Sequence, residues 1–118
     1  MVLGLRSAKI VDAKYLEDNF TEEELSEAGI YTRNTHEVRT VSFACGSATV
    51  EAYDSATVEA YDNATVEAYG SATVKAYGNS YVEDCTGNVR PQSDYAIVKD
   101  YHSHKIYIKK GNFEIIEV

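Results

Sequence analysis

Residues 47–54 read SATVEAYD, and residues 55–62 repeat those eight letters without change. NATVEAYG at 63–70 and SATVKAYG at 71–78 continue the series. This tract decides the fold, because self-similarity at a fixed period marks stacked copies of one small structural unit. Moving outward, the frame decays in NSYVEDCT (79–86) and is lost in GNVRPQSD (87–94), which contains Pro91. It returns in YAIVKDYH (95–102), with Ala96, Val98 and Tyr101 in the expected places. SHKIYIKK (103–110) keeps an apolar residue, Ile106, where Val belongs. Upstream, RTVSFACG (39–46) reads as a degenerate first octad.

Within an octad the chemistry alternates with period two, the mark of a strand. Ala48, Val50 and Ala52 share one face, and Thr49, Glu51 and Tyr53 share the other. The pairs between strands (Asp-Ser, Asp-Asn, Gly-Ser, Gly-Asn) are turn chemistry. In a hairpin meander, residues flanking each two-residue turn sit opposite each other on one sheet face. Tyr53 would then share a face with Ala56, and neither face would be apolar throughout. A solenoid keeps Ala-Val-Ala inward on every pass. The expected fold is therefore mainly β, a short β-solenoid (β-helix).

Two octads per coil suit this core, since a triangular coil of three would leave an interior too wide for Ala and Val to fill. Coils lie ~4.8 Å apart, so equivalent positions form ladders. Two-sided winding stacks Glu51, Glu67 and Glu83 on one face, with Glu59 and Lys75 on the other. Three-sided winding aligns Glu51, Lys75 and Lys99, which pairs opposite charges and favours that alternative.

The chain has 118 residues, 44% of them apolar, with no Trp, one Met and three Phe. That length suits one core, organised as an N-terminal cap (1–38) and the repeat solenoid (39–118). Thr21-Glu22-Glu23-Glu24 is a capping-box sequence, and Gly29 is placed as a helix stop, which predicts a short helix over Thr21 to Ala28. Between Ser7 and Asn19 two readings stay open. Ile10, Ala13, Leu16 and Phe20 would line a helical face, whereas Lys9-Ile10-Val11 would begin a strand. At the other end Phe113, Ile115 and Ile116 break the frame. This apolar final strand is expected to cap the last coil or to pair with a second copy as a homodimer.

Net charge is −8, from 19 acidic and 11 basic residues. Residues 47–86 hold seven acids and one Lys, whereas residues 87–118 hold five basic and four acidic residues. That sign argues against gripping a phosphate backbone, which takes basic patches. It fits a basic protein partner instead. No apolar run approaches the ~18–20 residues of a membrane span, and no basic region followed by an apolar stretch opens the chain. A cytoplasmic protein is expected.

The chemical candidates are few. His102 and His104, spaced i and i+2, would share one side of a strand, but no third metal ligand is evident. Cys45 and Cys85 replace Tyr at one octad position, on opposite faces under two-sided winding, which disfavours a disulfide. No glycine-rich phosphate loop or nucleophile elbow is present. Neither enzyme activity, metal nor cofactor is expected. The outward face is more informative, because tyrosine rows beside carboxylates offer flat amphipathic contact area at low entropic cost. Cross-coil stacking of Tyr, Thr and Glu would also stabilise the sheet by itself.

The tract SATVEAYD, with its Asn and Gly variants, resembles octapeptide-repeat β-solenoid segments in proteins of bacteria, bacteriophages and other mobile elements. The resemblance is close over 47–78 and loose over 39–110. It implies a phage-type inhibitor of host defence, anti-CRISPR-like, acting in the host cytoplasm. Solenoids of pentapeptide repeats that mimic DNA provide the analogy for how such a rod would act. The expected binding face comprises Glu51, Tyr53, Asp54, Glu59, Tyr61, Asp62, Glu67, Tyr69, Glu83 and Asp84. It would meet the basic surface of a host nucleic-acid-binding complex, without touching nucleic acid or membrane directly. The alternative is a structural or adhesive repeat module that binds a protein or carbohydrate surface.

Overall fold

The octad alternation is realised as strands of four residues. In a computed structural model describing residues 12–114, the chain forms helices α1 (Ala13–Asn19) and α2 (Glu22–Glu27), then twelve strands. These are β1 (Ile30–Tyr31), β2 (Thr35–Val38), β3 (Val41–Ala44), β4 (Thr49–Ala52), β5 (Thr57–Ala60) and β6 (Thr65–Ala68). They continue as β7 (Thr73–Ala76), β8 (Tyr81–Asp84), β9 (Arg90–Pro91), β10 (Ile97–Asp100), β11 (Lys105–Ile108) and β12 (Gly111–Glu114).

Odd strands form one sheet, β1-β3-β5-β7-β9, and even strands the other, β12-β11-β10-β8-β6-β4-β2. Pairing through the regular tract is parallel, with Thr49 against Thr65 and Thr57 against Thr73. Sixteen residues thus make one coil, two octads back to back, in a solenoid of about four turns. Glu51 lies beside Glu67, and Glu59 beside Lys75, so the three-sided alternative is overturned. The coils before the regular tract are shorter: Thr35 pairs with Thr49, and Ile30 with Phe43.

The interior is the Ala-Val-Ala code made solid. Ala48 is fully buried, and Val50, Ala52 and the equivalents from Ala56 through Ala68 are fully buried in one continuous cluster. Each turn is closed by a bond from the residue after it to the Tyr before it, such as Ala56 N–H to Tyr53 O at 3.1 Å and Ala64 N–H to Tyr61 O at 3.1 Å. The first central residue takes positive φ, at Asp54 (58°), Asp62 (55°), Gly70 (63°) and Gly78 (60°), while the second does not. That is the type II′ pattern, and it explains why octad position eight holds only Asp or Gly in the regular tract. At Gly78 a Cβ would stand 2.9 Å from the backbone nitrogen of Asp62.

The expected helix is present, with Thr21 as N-cap, a complete capping box with Glu24, Ala28 as C-cap and Gly29 at φ 77°. Of the two readings for Ser7 to Asn19, the described part is helical from Ala13, capped by Asp12. Ile10 and the Lys9-Ile10-Val11 segment lie outside the described residues, as do Ile115 and Ile116. Leu16, Leu25, Ile30 and Cys45 form a second small cluster, packed by Ala13, Phe43 and Tyr61. The helices therefore cover the start of the odd-strand sheet. Cys45, which stands at the Tyr position of its octad, is fully buried in this cluster.

At the other end the frame expected for 103–110 is not followed. After β10 the chain reverses, and β11 runs antiparallel to it, with Lys99 against Ile106 and Val98 against Tyr107. Ile106 therefore lies on the outer side, and Tyr107 takes the inward place against the core. The reversal is anchored by Asp100, fully buried, whose Oδ1 accepts the Ser103 and His102 amides at 2.9 and 2.8 Å.

Candidate functional site

A β-strand presents every second residue to solvent, so parallel stacking turns the octad's Thr, Glu and Tyr into straight rows. On the even-strand sheet the row runs Glu37, Glu51, Glu67, Glu83 and then Lys99. On the odd-strand sheet the equivalent row is Phe43, Glu59, Lys75 and Arg90. One face is a continuous line of four carboxylates, and the other is mixed.

Adjacent like charges repel, and the tyrosines offset this. Tyr53 donates its hydroxyl to Glu51 at 3.0 Å, Tyr69 to Glu67 at 2.8 Å, and Tyr61 to Glu59 at 2.5 Å. Tyr81 donates to Glu83 at 3.2 Å, and Tyr101 reaches the same carboxylate at 3.4 Å. The Glu67 carboxylate, by accepting that bond, pushes the Tyr69 phenol up to about 12, with burial adding to the effect. Burial and the charge of Glu83 push Tyr81 up to about 12 as well. The rings stack across coils, Tyr53 on Tyr69 and Tyr61 on Tyr77, each with centroids 5.1 Å apart.

The ten residues expected to form one binding face do not share a face. Glu51, Tyr53, Glu67, Tyr69 and Glu83 lie together on the even-strand sheet. Glu59 and Tyr61 belong to the odd-strand side, where Tyr61 packs against the helical cap. Asp54 and Asp62 occupy turns at opposite edges: Asp54 pairs with Arg39 Nε at 3.3 Å, and Asp62 accepts the Gly46 amide at 3.0 Å. Asp84 is not on the surface at all. It occupies the inward place beside Ala68, fully buried, accepting from Thr86 N–H and Oγ1 and from Val89 N–H. It braces the loop in which the octad pattern breaks.

Sequence reading missed Glu37, Arg39 and Tyr81. The short coil between β2 and β4 breaks the count of eight, although Thr35-His36-Glu37 repeats the Thr-x-Glu spacing of Thr49-Val50-Glu51. His102 and His104 sit in the β10–β11 turn, with His104 at φ 57°, and not on a strand. Among the described residues, no group of three or more His, Cys, Asp or Glu is placed to hold a metal. Both cysteines are free, Cys45 buried and Cys85 exposed. No described helix is long and apolar enough to cross a membrane. No family model matches the chain, and neither does any curated protein or solved structure.

Proposed function

We propose that this chain is a non-enzymatic binding protein whose even-strand face occupies a basic, nucleic-acid-binding surface on another protein. One observation supports the reading most: Glu37, Glu51, Glu67 and Glu83 stand in unbroken register on a parallel sheet. At ~4.8 Å per coil, this row is sparser than one strand of duplex DNA at ~3.4 Å per phosphate. Competition for a groove lined by long Lys and Arg side chains suits it better than a replica of duplex geometry. The finer form of the proposal is a phage-type, anti-CRISPR-like inhibitor working in the host cytoplasm, supported by the likeness of the repeat to those of mobile elements. A second copy joined at β12, the edge strand of the seven-stranded sheet among the described residues, where Phe113 is exposed, is the companion proposal for oligomeric state. A dimer mass in light scattering supports it, and a monomer mass at micromolar concentration removes it.

The test is a pulldown from bacterial lysate with the intact chain, followed by salt titration of whatever nucleic-acid-binding complex is retained. Changing Glu51, Glu67 and Glu83 together to Gln should abolish retention, while Glu59→Gln on the opposite side should leave it intact. Binding that does not weaken with salt would overturn the electrostatic reading. A second reading, a structural or adhesive repeat module, is favoured by the engagement of the Tyr53, Tyr61 and Tyr69 hydroxyls with the Glu two residues before each. It would be supported if the triple variant kept its partners.

A further inference from the structure

The two sheets of the solenoid do not stop together. Among the described residues the five-stranded sheet ends at β9, whereas the facing sheet runs on through β10, β11 and β12. A cavity of about 310 Å³ opens beside β9, with Arg90 and Pro91 on one side and Tyr107, Gly111 and Asn112 on the other. The edge of β9 therefore has room beside it for a short extended segment.

In the regular tract the backbone of the inward residues faces the next coil: Thr73 N–H bonds to Ala56 O and Tyr77 N–H to Ala60 O, each at 2.8 Å. At β9 the inward residues are Val89 and Pro91, both buried, because Arg90 pairs with Lys75 and Pro91 with Ala76. Gln92 N–H bonds back to Ala76 O at 2.8 Å, so it is Val89 and Pro91 that face the open side. Neither offers a free amide there. Val89 N–H donates to Asp84 Oδ2 at 3.0 Å, and Pro91 has no N–H. The Val89 carbonyl is also taken, by Arg90 Nη1 at 2.7 Å, and the same nitrogen reaches Gly87 O at 3.3 Å. Arg90 stands at an outward position, yet its guanidinium lies 3.8 Å from the ring centroid of the inward Tyr107 and 3.9 Å from Oδ2 of the buried Asp100. Its side chain thus crosses the edge of β9 and lies over the mouth of the coil.

We infer that Asp84, Arg90 and Pro91 form a strand terminator, which keeps this edge of the five-stranded sheet from pairing with a second copy of the chain. An edge with unpaired amides and carbonyls is a template for strand addition. Here one donor is used, one is missing and one acceptor is covered. All three residues depart from the repeat: Ala68 and Ala76 are the neighbours in register of Asp84 and Pro91, and Lys75 that of Arg90. The loss of the octad pattern in 87–94 is thus the place where the sheet is made to stop. The terminator acts whatever the acidic face binds.

The intact chain is followed by sedimentation velocity over a concentration series, in ~0.5 M salt to screen its net charge of −8. The double variant Arg90→Thr, Pro91→Ala uncovers the Val89 carbonyl and restores an amide at position 91. Its average mass should climb with concentration to at least about twice that of the wild type, as mass action on a new self-pairing edge requires. Adding Phe113→Lys should leave that climb in place, which separates this edge from β12. Far-UV circular dichroism checks that the coil is intact. If the double variant unfolds, Pro91→Ala alone carries the test, since it restores the amide without depriving Asp100 of its cation. A folded variant whose mass tracks the wild type at every concentration overturns the terminator. So does a climb that Phe113→Lys abolishes, or a wild type that itself grows without limit.

Discussion

Tyr69 donates its hydroxyl to Glu67 at 2.8 Å, joining an aromatic row to an acidic row two residues away on one strand. The same bond recurs at Tyr53 and Glu51, so the outer face partly neutralises its own repulsion. Tyr69→Phe should destabilise the fold by about 0.5–1.5 kcal/mol, the net value of one such bond. Glu67→Gln should cost less, because it also relieves repulsion from Glu51 and Glu83. Urea denaturation of the two variants checks the order.

The phenols of Tyr69 and Tyr81 stand near 12 in the folded protein, above the ordinary value of 10. A group whose folded value is raised contributes stability that is fully present below its unfolded value and is lost as pH rises through the folded one. The melting temperature should therefore hold up to about pH 9 and fall between about 10 and 12. Glu67→Gln should flatten the decline, since it removes the carboxylate that raises Tyr69. Thermal melts in that window would show no difference between the two proteins if the bond were immaterial.

Burial pushes the Cys45 thiol up to about 12, with the charges of Asp62 and Glu17 assisting. The reactive form is the thiolate, so Cys45 should resist alkylation at pH 8 while the chain is folded. Cys85 is exposed and should take the label, although burial of its thiol and the charges of Asp84 and Glu83 also raise it and will slow the reaction. Mass spectrometry should count one label on the native protein and two after denaturation. Two labels on the native protein would mean that the helical cap does not cover Cys45.

The hydroxyl of Ser80 is buried without a partner, at an inward position that Ala fills in the regular octads. Ser80→Ala should stabilise by about 1 kcal/mol, because an unsatisfied buried hydroxyl is removed. Val66→Thr makes the reverse change in the middle of the core, where Val66 is fully buried. It should cost about 1–3 kcal/mol. Chemical denaturation midpoints of both variants measure the pair.

Much of the architecture was readable from local signals. Inward Ala-Val-Ala, outward Thr-Glu-Tyr and the Asp or Gly at the turn are properties of single octads, and each appears where the letters place it. Thr21, Glu24 and Gly29 likewise define their helix by short-range bonds. The candidate site was only half readable. Glu51 and Glu67 could be placed together once two-sided winding was assumed, but Asp84 lies in an inward position where a carboxylate is unexpected. Glu37 joins the row through a coil two residues short of the repeat, which counting by eight cannot register.

The sequence by itself therefore determined the repeat unit, its inside and outside, and the chemistry of its corners, since these depend on neighbours in the chain. Only the tertiary structure decided which octads share a face, where the coil reverses at Asp100, and which acids reach solvent. The reason is that row membership depends on how many residues close a coil, a long-range quantity. A change of one or two residues moves a side chain to another row or to the other face.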